Sequence, residues 1–154
     1  MLFLVRHAKA GNRSEWDGDD STRPLTGKGR RQSIAIAERL APLAAGSLVS
    51  SPFVRCVQTL EPLASLRDIA VVVDDRLAEG AGLEGALQLL ANLPDGSVLC
   101  SHGDVIPETI DALVRRGCKI VGEPEWAKAS VWQLRRSGDG SISEATAWPP
   151  PERD

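Results

Sequence analysis

Four short apolar runs alternate with segments of helical spacing, and this alternation constrains the fold more than any other feature of the chain. The runs cover residues 2–5, 48–51, 70–73 and 97–101. In the segments between and after them, apolar side chains recur three and four residues apart, as the buried face of a helix requires. Strands that alternate with helices form a mostly parallel sheet covered on both faces. The sequence therefore predicts an α/β fold, a three-layer α/β/α sandwich with a mostly parallel central sheet.

The first two predicted helices have recognisable starts. Thr26 can cap a helix that runs to Leu40, because its hydroxyl can accept a hydrogen bond from the first turn. Ser51 and Pro52 resemble an N-cap followed by proline at the first helical position. That assignment puts Arg55 in the first turn of the second helix, where free backbone N–H groups already favour an anion.

The last part of the chain has a different pattern. Residues 131–134 and 142–146 predict two edge or hairpin strands around a turn at 137–140. Residues 148–154 contain three consecutive prolines and predict an extended or disordered Pro-rich tail. With no internal repeat and no linker, the sequence predicts one domain over residues 1–147.

Composition excludes several classes of protein. The formal charge is −3, the pI is near 5.4, and no basic run exceeds two residues, which argues against binding to nucleic acid or to anionic membranes. The three cysteines form no CxxC pair and lie in apolar stretches, so we expect them to be reduced and buried. The apolar N-terminal stretch ends at Val5, too early for a signal peptide or a membrane span. These features predict a cytoplasmic protein.

Two segments resemble ligand-binding motifs but do not match them fully. An EF-hand loop beginning at Asp17 would need glycine and glutamate where the chain has Thr22 and Lys28, so calcium is not expected. Residues 80–85 spell GxGxxG, but the motif starts several residues after the preceding strand, and no acidic residue ends the next one. We therefore expect no dinucleotide, and residues 8–24 are predicted to form a surface loop beside the end of the first strand.

Chemically capable side chains follow the predicted strands. Arg6 and His7 end the first strand, Arg55 follows the second, Glu79 lies in the loop after the third, and His102 follows the fourth. The carboxyl ends of parallel strands meet at one edge of a sheet, so these five side chains are predicted to be neighbours. His7 and His102 are the two histidines of the chain. A site made of two histidines and a metal is disfavoured, because the adjacent arginines would repel a dication.

At these positions the sequence resembles the histidine phosphatase superfamily, also called phosphoglycerate mutase-like. The resemblance covers the chain through about Leu113 and rests on three motifs: Arg6-His7-Ala8, the serine-rich strand end with its arginine and Gln-Thr at residues 50–59, and His102-Gly103. Because it is small and has alanine in place of the usual glycine at position 8, the sequence is most similar to short SixA-like phosphohistidine phosphatases. It also resembles the phosphatase domains that are fused to Nudix hydrolases.

The resemblance implies roles for the five residues. His7 would be the nucleophile that becomes phosphorylated, and Arg6, Arg55 and His102 would hold the phosphoryl oxygens, without a metal or a cofactor. Adjacent arginines fit this role, since like charge keeps an imidazole neutral. Glu79 would protonate a leaving oxygen, in competition with three nearby carboxylates: Asp74, Asp75 and Glu84.

Three kinds of function remain open. The resemblance favours a metal-independent phosphatase that acts on phosphohistidine in a signalling protein. The second is a phosphomonoesterase for a small phosphorylated metabolite, such as a nucleotide or a sugar phosphate. The third is a non-catalytic phosphate-binding domain, for which Ala8 is the one supporting residue. The sequence does not indicate an oligomeric state.

Overall fold

A computed structural model describes residues 1–151 and contains one seven-stranded sheet with four helices packed against it. The strands are β1 (Leu2–Arg6), β2 (Leu48–Ser50), β3 (Val71–Val73), β4 (Val98–Ser101), β5 (Lys119–Ile120), β6 (Val131–Arg136) and β7 (Ile142–Trp148). The helices are α1 (Gly27–Leu40), α2 (Val54–Arg67), α3 (Glu84–Asn92) and α4 (Val105–Arg115). Short 3-10 turns cover Arg13–Glu15, Asp20–Thr22 and Asp75–Leu77.

The sheet is mostly parallel, as predicted. Its strand order is β3-β2-β4-β1-β6-β7-β5. The pairs β1–β4, β2–β3, β2–β4 and β5–β7 are parallel, whereas β6 is antiparallel to both β1 and β7. The hairpin of β6 and β7 is confirmed, but neither strand is at an edge of the sheet, because β5 pairs with the outer side of β7. The two-residue strand β5 was not predicted, because so short a run carries no periodicity.

Alternate side chains of β1 pack into the two halves of the core, one on each face of the sheet. Leu2 and Leu4 lie in a cluster with the apolar faces of α3 and α4. Phe3 and Val5 lie in a second cluster with α1 and α2. Because successive strand residues point to opposite faces, a continuous apolar run is buried on both sides. The three-layer α/β/α sandwich is therefore confirmed.

The register of the parallel strands brings their carboxyl ends to one edge. Arg6 is opposite Ser101, and Ser50 is opposite Cys100. The backbone pairing continues one residue further, where His7 N–H donates to the Ser101 carbonyl at 3.1 Å. The segments that follow β1, β2 and β4 therefore start side by side.

Two predicted boundaries were wrong. Helix α2 begins after Phe53 rather than Ser51, and the Ser51 hydroxyl accepts from Phe53 N–H at 3.2 Å while it contacts His102. Trp148 was assigned to the tail but ends β7, opposite Val131. Its ring contacts the Arg39 guanidinium, 3.6 Å from the ring centroid. Cation–π contact and strand pairing thus extend order past the predicted boundary.

The rest of the predicted tail is divided. Residues 149–151 have no helix or strand, and residues 152–154 lie outside the described part of the chain. Among residues 1–151, no helix is long and apolar enough to cross a membrane. The three cysteines are free and buried.

Helix α1 starts against the backbone that leaves β1. Thr26 is the predicted N-cap, and its hydroxyl accepts from Gly29 N–H at 3.0 Å. Thr26 N–H in turn donates to the Lys9 carbonyl at 3.0 Å. A Cβ at Gly29 would collide with that carbonyl oxygen, so the close approach of α1 to Lys9 requires glycine.

Replacing Gly29 should therefore be costly despite the higher helix propensity of alanine. We expect Gly29→Ala to lower the free energy of unfolding by roughly 2 kcal/mol, because backbone has to move. Gly27→Ala is the matched control, since the nearest atom to its Cβ is Arg31 Nη1 at 3.8 Å. Urea unfolding of both variants measures the difference, and equal stabilities would contradict the collision.

Candidate active site

His7 stands directly after β1 in a defined tautomer. Its side chain is 5% exposed, and Nδ1 lies 2.8 Å from the Ala8 carbonyl oxygen. A carbonyl oxygen accepts and cannot donate, so Nδ1 carries the proton. In the neutral ring Nε2 then has a free lone pair. The backbone of the next residue thus sets which nitrogen of His7 is nucleophilic.

The surroundings of His7 keep its ring neutral. Burial lowers the pKa of His7 to about 3, against the opposing effect of the hydrogen bond to Ala8. The lowering to about 3 also includes smaller contributions from the neighbouring His102 ring and from the positive charges of Arg55 and Arg6. At neutral pH the ring is therefore uncharged, with its one proton on Nδ1, and Nε2 can act as a nucleophile.

His102 lies beside His7 after β4. The two rings meet edge to face, with centroids 5.4 Å apart. His102 Nε2 is 2.8 Å from Ser51 Oγ, while Nδ1 is 3.8 Å from Glu79 Oε1. The Phe53 ring packs on His102 with centroids 4.8 Å apart. Ser51 and Phe53 thus hold the ring so that Nδ1 faces the site rather than the core.

Arg55 is fully buried, and carboxylates from two loops pair with it. Its Nη2 donates to Asp20 Oδ2 and to Glu79 Oε1, both at 3.1 Å. Its Nη1 donates to the Asp20 carbonyl at 2.9 Å. Partial burial opposes ionisation of Asp20, but the hydrogen bonds and charges of Arg23 and Arg55 outweigh it and lower the pKa of that carboxyl.

Arg6 lies over Gly103 at the mouth of the site. Arg6 Nη1 donates to the Trp126 carbonyl at 2.7 Å. A Cβ at position 103 would lie 2.7 Å from the Arg6 Cζ atom. Glycine after His102 therefore allows the close approach of the Arg6 guanidinium to this turn.

Three buried side-chain nitrogens lack a hydrogen-bond partner among residues 1–151. They are Arg6 Nε, Arg55 Nε and His102 Nδ1. Buried donors are normally paired, and leaving one unpaired costs about 1–3 kcal/mol. These atoms belong to the three residues predicted to hold phosphoryl oxygens. An anion with several oxygens would supply the acceptors that the protein does not.

The site opens into a cavity of about 950 Å³. Its wall is polar and strongly basic, and is formed by Arg6, His7, Lys9, Ala10, Gly11, Asn12, Arg13, Arg23, Glu79, Gly103, Asp104 and Lys128. Ala8 does not line it. The Ala8 side chain is instead fully buried in the core, and its N–H donates to Thr59 Oγ1 at 3.0 Å.

Glu79 lines the cavity together with Asp104, whereas Asp74, Asp75 and Glu84, its competitors in the sequence, do not. Glu79 Oε1 accepts from Arg13 Nη2 at 3.0 Å as well as from Arg55. Asp74 is engaged by Arg76, which donates to it from both the backbone and the side chain. The structure thus brings Glu79 together with the two histidines and with both predicted arginines.

Several residues of the site were not predicted from the sequence. The loop of residues 8–24 was predicted to lie beside β1, but its contact from Asp20 to Arg55 was not. Lys128 also lines the cavity, although the sequence around it has no motif. Among residues 1–151, no three histidine, cysteine or carboxylate side chains are grouped so that they could hold a metal ion.

The fold and the site together define a phosphoglycerate mutase-like α/β protein with two histidines and two arginines at the carboxyl edge of its sheet. A family model gives the same result, since the model for the histidine phosphatase superfamily (branch 1) matches residues 2–88. The chain belongs to this superfamily.

Two curated relatives match different shares of the chain. The 8-oxo-(d)GTP phosphatase of Mycolicibacterium smegmatis is 36% identical over 160 residues, which cover 98% of this chain and 48% of that protein. A probable phosphoglycerate mutase GpmB of Cronobacter sakazakii is 31% identical over 84 residues, 51% of this chain and 37% of that protein. The chain thus spans about half the length of the first relative and less of the second.

Solved structures share the fold over most of their length. A protein histidine phosphatase SixA complexed with tungstate has a TM-score of 0.71 at 24% identity, covering 92% of both chains. A candidate phosphohistidine phosphatase SixA from Nakamurella multipartitia has a TM-score of 0.70 at 27% identity, covering 96% of this chain and 92% of that one.

The protonation of His7 can be measured directly, because the chain has two histidines. In nitrogen-15 NMR spectra, we expect His7 to remain neutral with its proton on Nδ1 between pH 5 and pH 8, since its pKa is lowered to about 3. A His102→Gln variant assigns the signals. An unfolded histidine takes up a proton near pH 6.5, whereas folded His7 does so only near its pKa of about 3, so the free energy of unfolding should fall as the pH falls from 6.5 towards 3. Titration of His7 above pH 6 would contradict the assignment.

Proposed function

We propose that the protein is a phosphatase that works through a phosphohistidine intermediate on His7. The observation that carries the proposal is the group of three unpaired buried nitrogens on Arg6, Arg55 and His102. A phosphoryl group has three terminal oxygens, and arginine matches their geometry well. A neutral histidine with a free Nε2 lies beside this group, so a nucleophile and an oxygen-binding site occur together.

The first step would transfer the phosphoryl group to His7. His7 Nε2 attacks phosphorus, a bond forms between nitrogen and phosphorus, and the bond from phosphorus to the leaving group breaks. The lowered pKa of His7 means that no proton has to be removed before attack. Arg6, Arg55 and His102 would stabilise the charge that spreads over the oxygens in the transition state.

The second step would return His7 to its starting form. A water molecule attacks phosphorus, the bond from nitrogen to phosphorus breaks, and inorganic phosphate leaves. The Ala8 carbonyl keeps hold of the Nδ1 proton throughout, so Nε2 is regenerated as the free nitrogen. The mechanism needs no metal ion, since arginines supply the positive charge.

Glu79 is proposed as the proton donor for the leaving group. It lines the cavity and its Oε1 is 3.8 Å from His102 Nδ1, close to where the phosphoryl group would be held. The same carboxylate could remove a proton from the attacking water in the second step, as microscopic reversibility requires. The hydrogen bonds from Arg13 and Arg55 orient it for both tasks.

We propose a small phosphorylated molecule as the substrate. His7 lies in a basic cavity large enough for such a molecule, and the 36% identical relative is named for a nucleotide. Phosphohistidine on a protein is the second candidate, because the SixA protein from Nakamurella multipartitia is 27% identical. The free cysteines suit a reducing compartment, so we place the protein in the cytoplasm.

The one observation in favour of a non-catalytic phosphate-binding domain was the alanine at position 8, and the structure does not support it. Alanine at position 8 raised that alternative, but its side chain is buried in the core and does not line the cavity. Ala8 is not among the residues with positive φ, so a β-carbon adds no backbone strain there. Neither the approach to His7 nor the turn after β1 is obstructed.

Removal of His7 tests the intermediate. We expect His7→Ala to abolish turnover of an aryl phosphate, with at least a thousandfold loss, while phosphate still binds to the two arginines and His102. Wild-type protein quenched with labelled substrate should carry an acid-labile, base-stable label that the variant lacks. Circular dichroism checks the fold, and chelator should change nothing. Turnover within tenfold of wild type in His7→Ala would refute the proposal.

Leaving groups test Glu79. An alkoxide needs a proton as it leaves, whereas the phenolate of an activated aryl phosphate needs far less help. We expect Glu79→Gln to slow alkyl phosphates by roughly a hundredfold and activated aryl phosphates far less. Glu84→Gln is the control, because Glu84 does not line the cavity. Equal losses on both kinds of substrate would make Glu79 a binding residue rather than the acid.

A further inference from the structure

The cavity contains more positive charge than one phosphoryl group uses. Its basic side chains are Arg6, Lys9, Arg13, Arg23 and Lys128, and its acidic ones are Glu79 and Asp104. Most of these charges already have partners. Arg13 pairs with Glu79 at 3.0 Å, and Arg23 pairs with Asp20 at 2.9 Å. Asp104 accepts from two backbone N–H groups, those of Gly80 at 2.7 Å and Val105 at 2.9 Å.

Two ammonium groups remain at the wall of the cavity. Within residues 1–151, the side chains of Lys9 and Lys128 make no hydrogen bond and no ion pair. Partial desolvation lowers the pKa of Lys128, and the positive charges of Arg6, Arg23, Lys9 and Arg55 lower it further. Lys128 therefore lies close enough to the other cations to feel their repulsion.

The backbone that presents Lys128 is fixed against the nucleophile. The N–H of the next residue, Ala129, donates to the carbonyls of Arg6 at 3.2 Å and His7 at 3.1 Å. Ala129 is fully buried and has φ +69°, a left-handed conformation that costs a non-glycine residue about 1 kcal/mol. Such a conformation persists where the surroundings enforce it. Lys128 is thus attached to the backbone of the Arg6-His7 pair.

The segment before Lys128 is held as well. The Glu125 carboxylate accepts from the N–H groups of Trp126 at 3.0 Å and Ala127 at 3.1 Å. Trp132 Nε1 donates to the Glu125 carbonyl at 3.0 Å, and the two tryptophan rings pack with centroids 5.1 Å apart. This network fixes the position of the Lys128 backbone at the site.

The backbone of Lys9 is also held in place. Its N–H donates to Gln32 Oε1 at 3.0 Å, and its carbonyl accepts from Thr26 N–H at 3.0 Å. Two lysines on restrained backbones therefore lie in the wall of the cavity that contains the nucleophile. A lysine ammonium has three rotatable donors and suits a phosphate whose position varies between substrates.

We propose that Lys9 and Lys128 form a second anion subsite, which binds another phosphate group of a small substrate while Arg6, Arg55 and His102 hold the phosphate that is transferred. The proposal rests on the function assigned above and narrows its substrate class to molecules with at least two phosphates, such as a nucleoside diphosphate or a sugar bisphosphate. A monophosphate or a phosphohistidine has no second phosphate group for these two exposed lysines to bind.

Binding of inorganic pyrophosphate and orthophosphate, measured by calorimetry, tests the subsite without turnover. We expect wild-type protein to bind pyrophosphate at least tenfold more tightly than orthophosphate. Lys9→Met and Lys128→Met should each weaken pyrophosphate roughly tenfold and orthophosphate much less, because one charge-assisted contact is lost. Lys119→Met, in β5, is the control. The subsite is refuted if wild type shows no preference or if the control matches the variants.

Turnover separates this proposal from the one on which it rests. We expect kcat/KM for GDP relative to GMP to fall roughly tenfold in Lys128→Met, mainly through KM. A parallel fall for fructose 1,6-bisphosphate relative to fructose 6-phosphate would extend the subsite to any second phosphate, and a fall for GDP alone would restrict it to phosphoanhydrides. His7-dependent turnover with unchanged ratios would overturn the subsite alone. Selective pyrophosphate binding without His7-dependent turnover would overturn the phosphatase alone.

Discussion

Full burial of the Arg55 guanidinium is the constraint on which the rest of the site depends. An unpaired charge removed from water costs several kcal/mol, so the fold has to bring acceptors to it. Asp20 and Glu79 come from loops that are far apart in the sequence, and both reach the same nitrogen. The conformation of each loop is therefore linked to one side chain in the first turn of α2. Two walls of the cavity are set by this link.

The same buried charge acts on the nucleophile. Arg55 and Arg6 help to keep His7 neutral, while the Ala8 carbonyl determines which ring nitrogen carries the proton. Neither effect alone would give a usable nucleophile, because a neutral ring in the other tautomer would direct an N–H at the substrate. Electrostatics and backbone geometry thus act together on Nε2.

Much of the fold and the main site could be predicted because they depend on local patterns. The apolar runs with their helical segments gave the layers, and parallel strand ends brought His7 and His102 together. The contact of Asp20 with Arg55 and the placing of Lys128 could not be predicted, since both follow from how loops pack over long sequence separations. Ser51 was assigned as a helix cap because serine before proline is typical of one; its hydroxyl instead contacts His102.

The left-handed backbone at Ala129 limits how this region can change. Glycine would adopt the same φ without strain, but it would also gain freedom in the unfolded chain and lose a buried methyl group, so the effects on stability partly cancel. The effect on the site would be larger, because Ala129 restrains the backbone next to Lys128. Selection for thermal stability would act only weakly on such a change, whereas selection for discrimination between substrates would act on it strongly. Stability and substrate discrimination can therefore evolve separately at position 129.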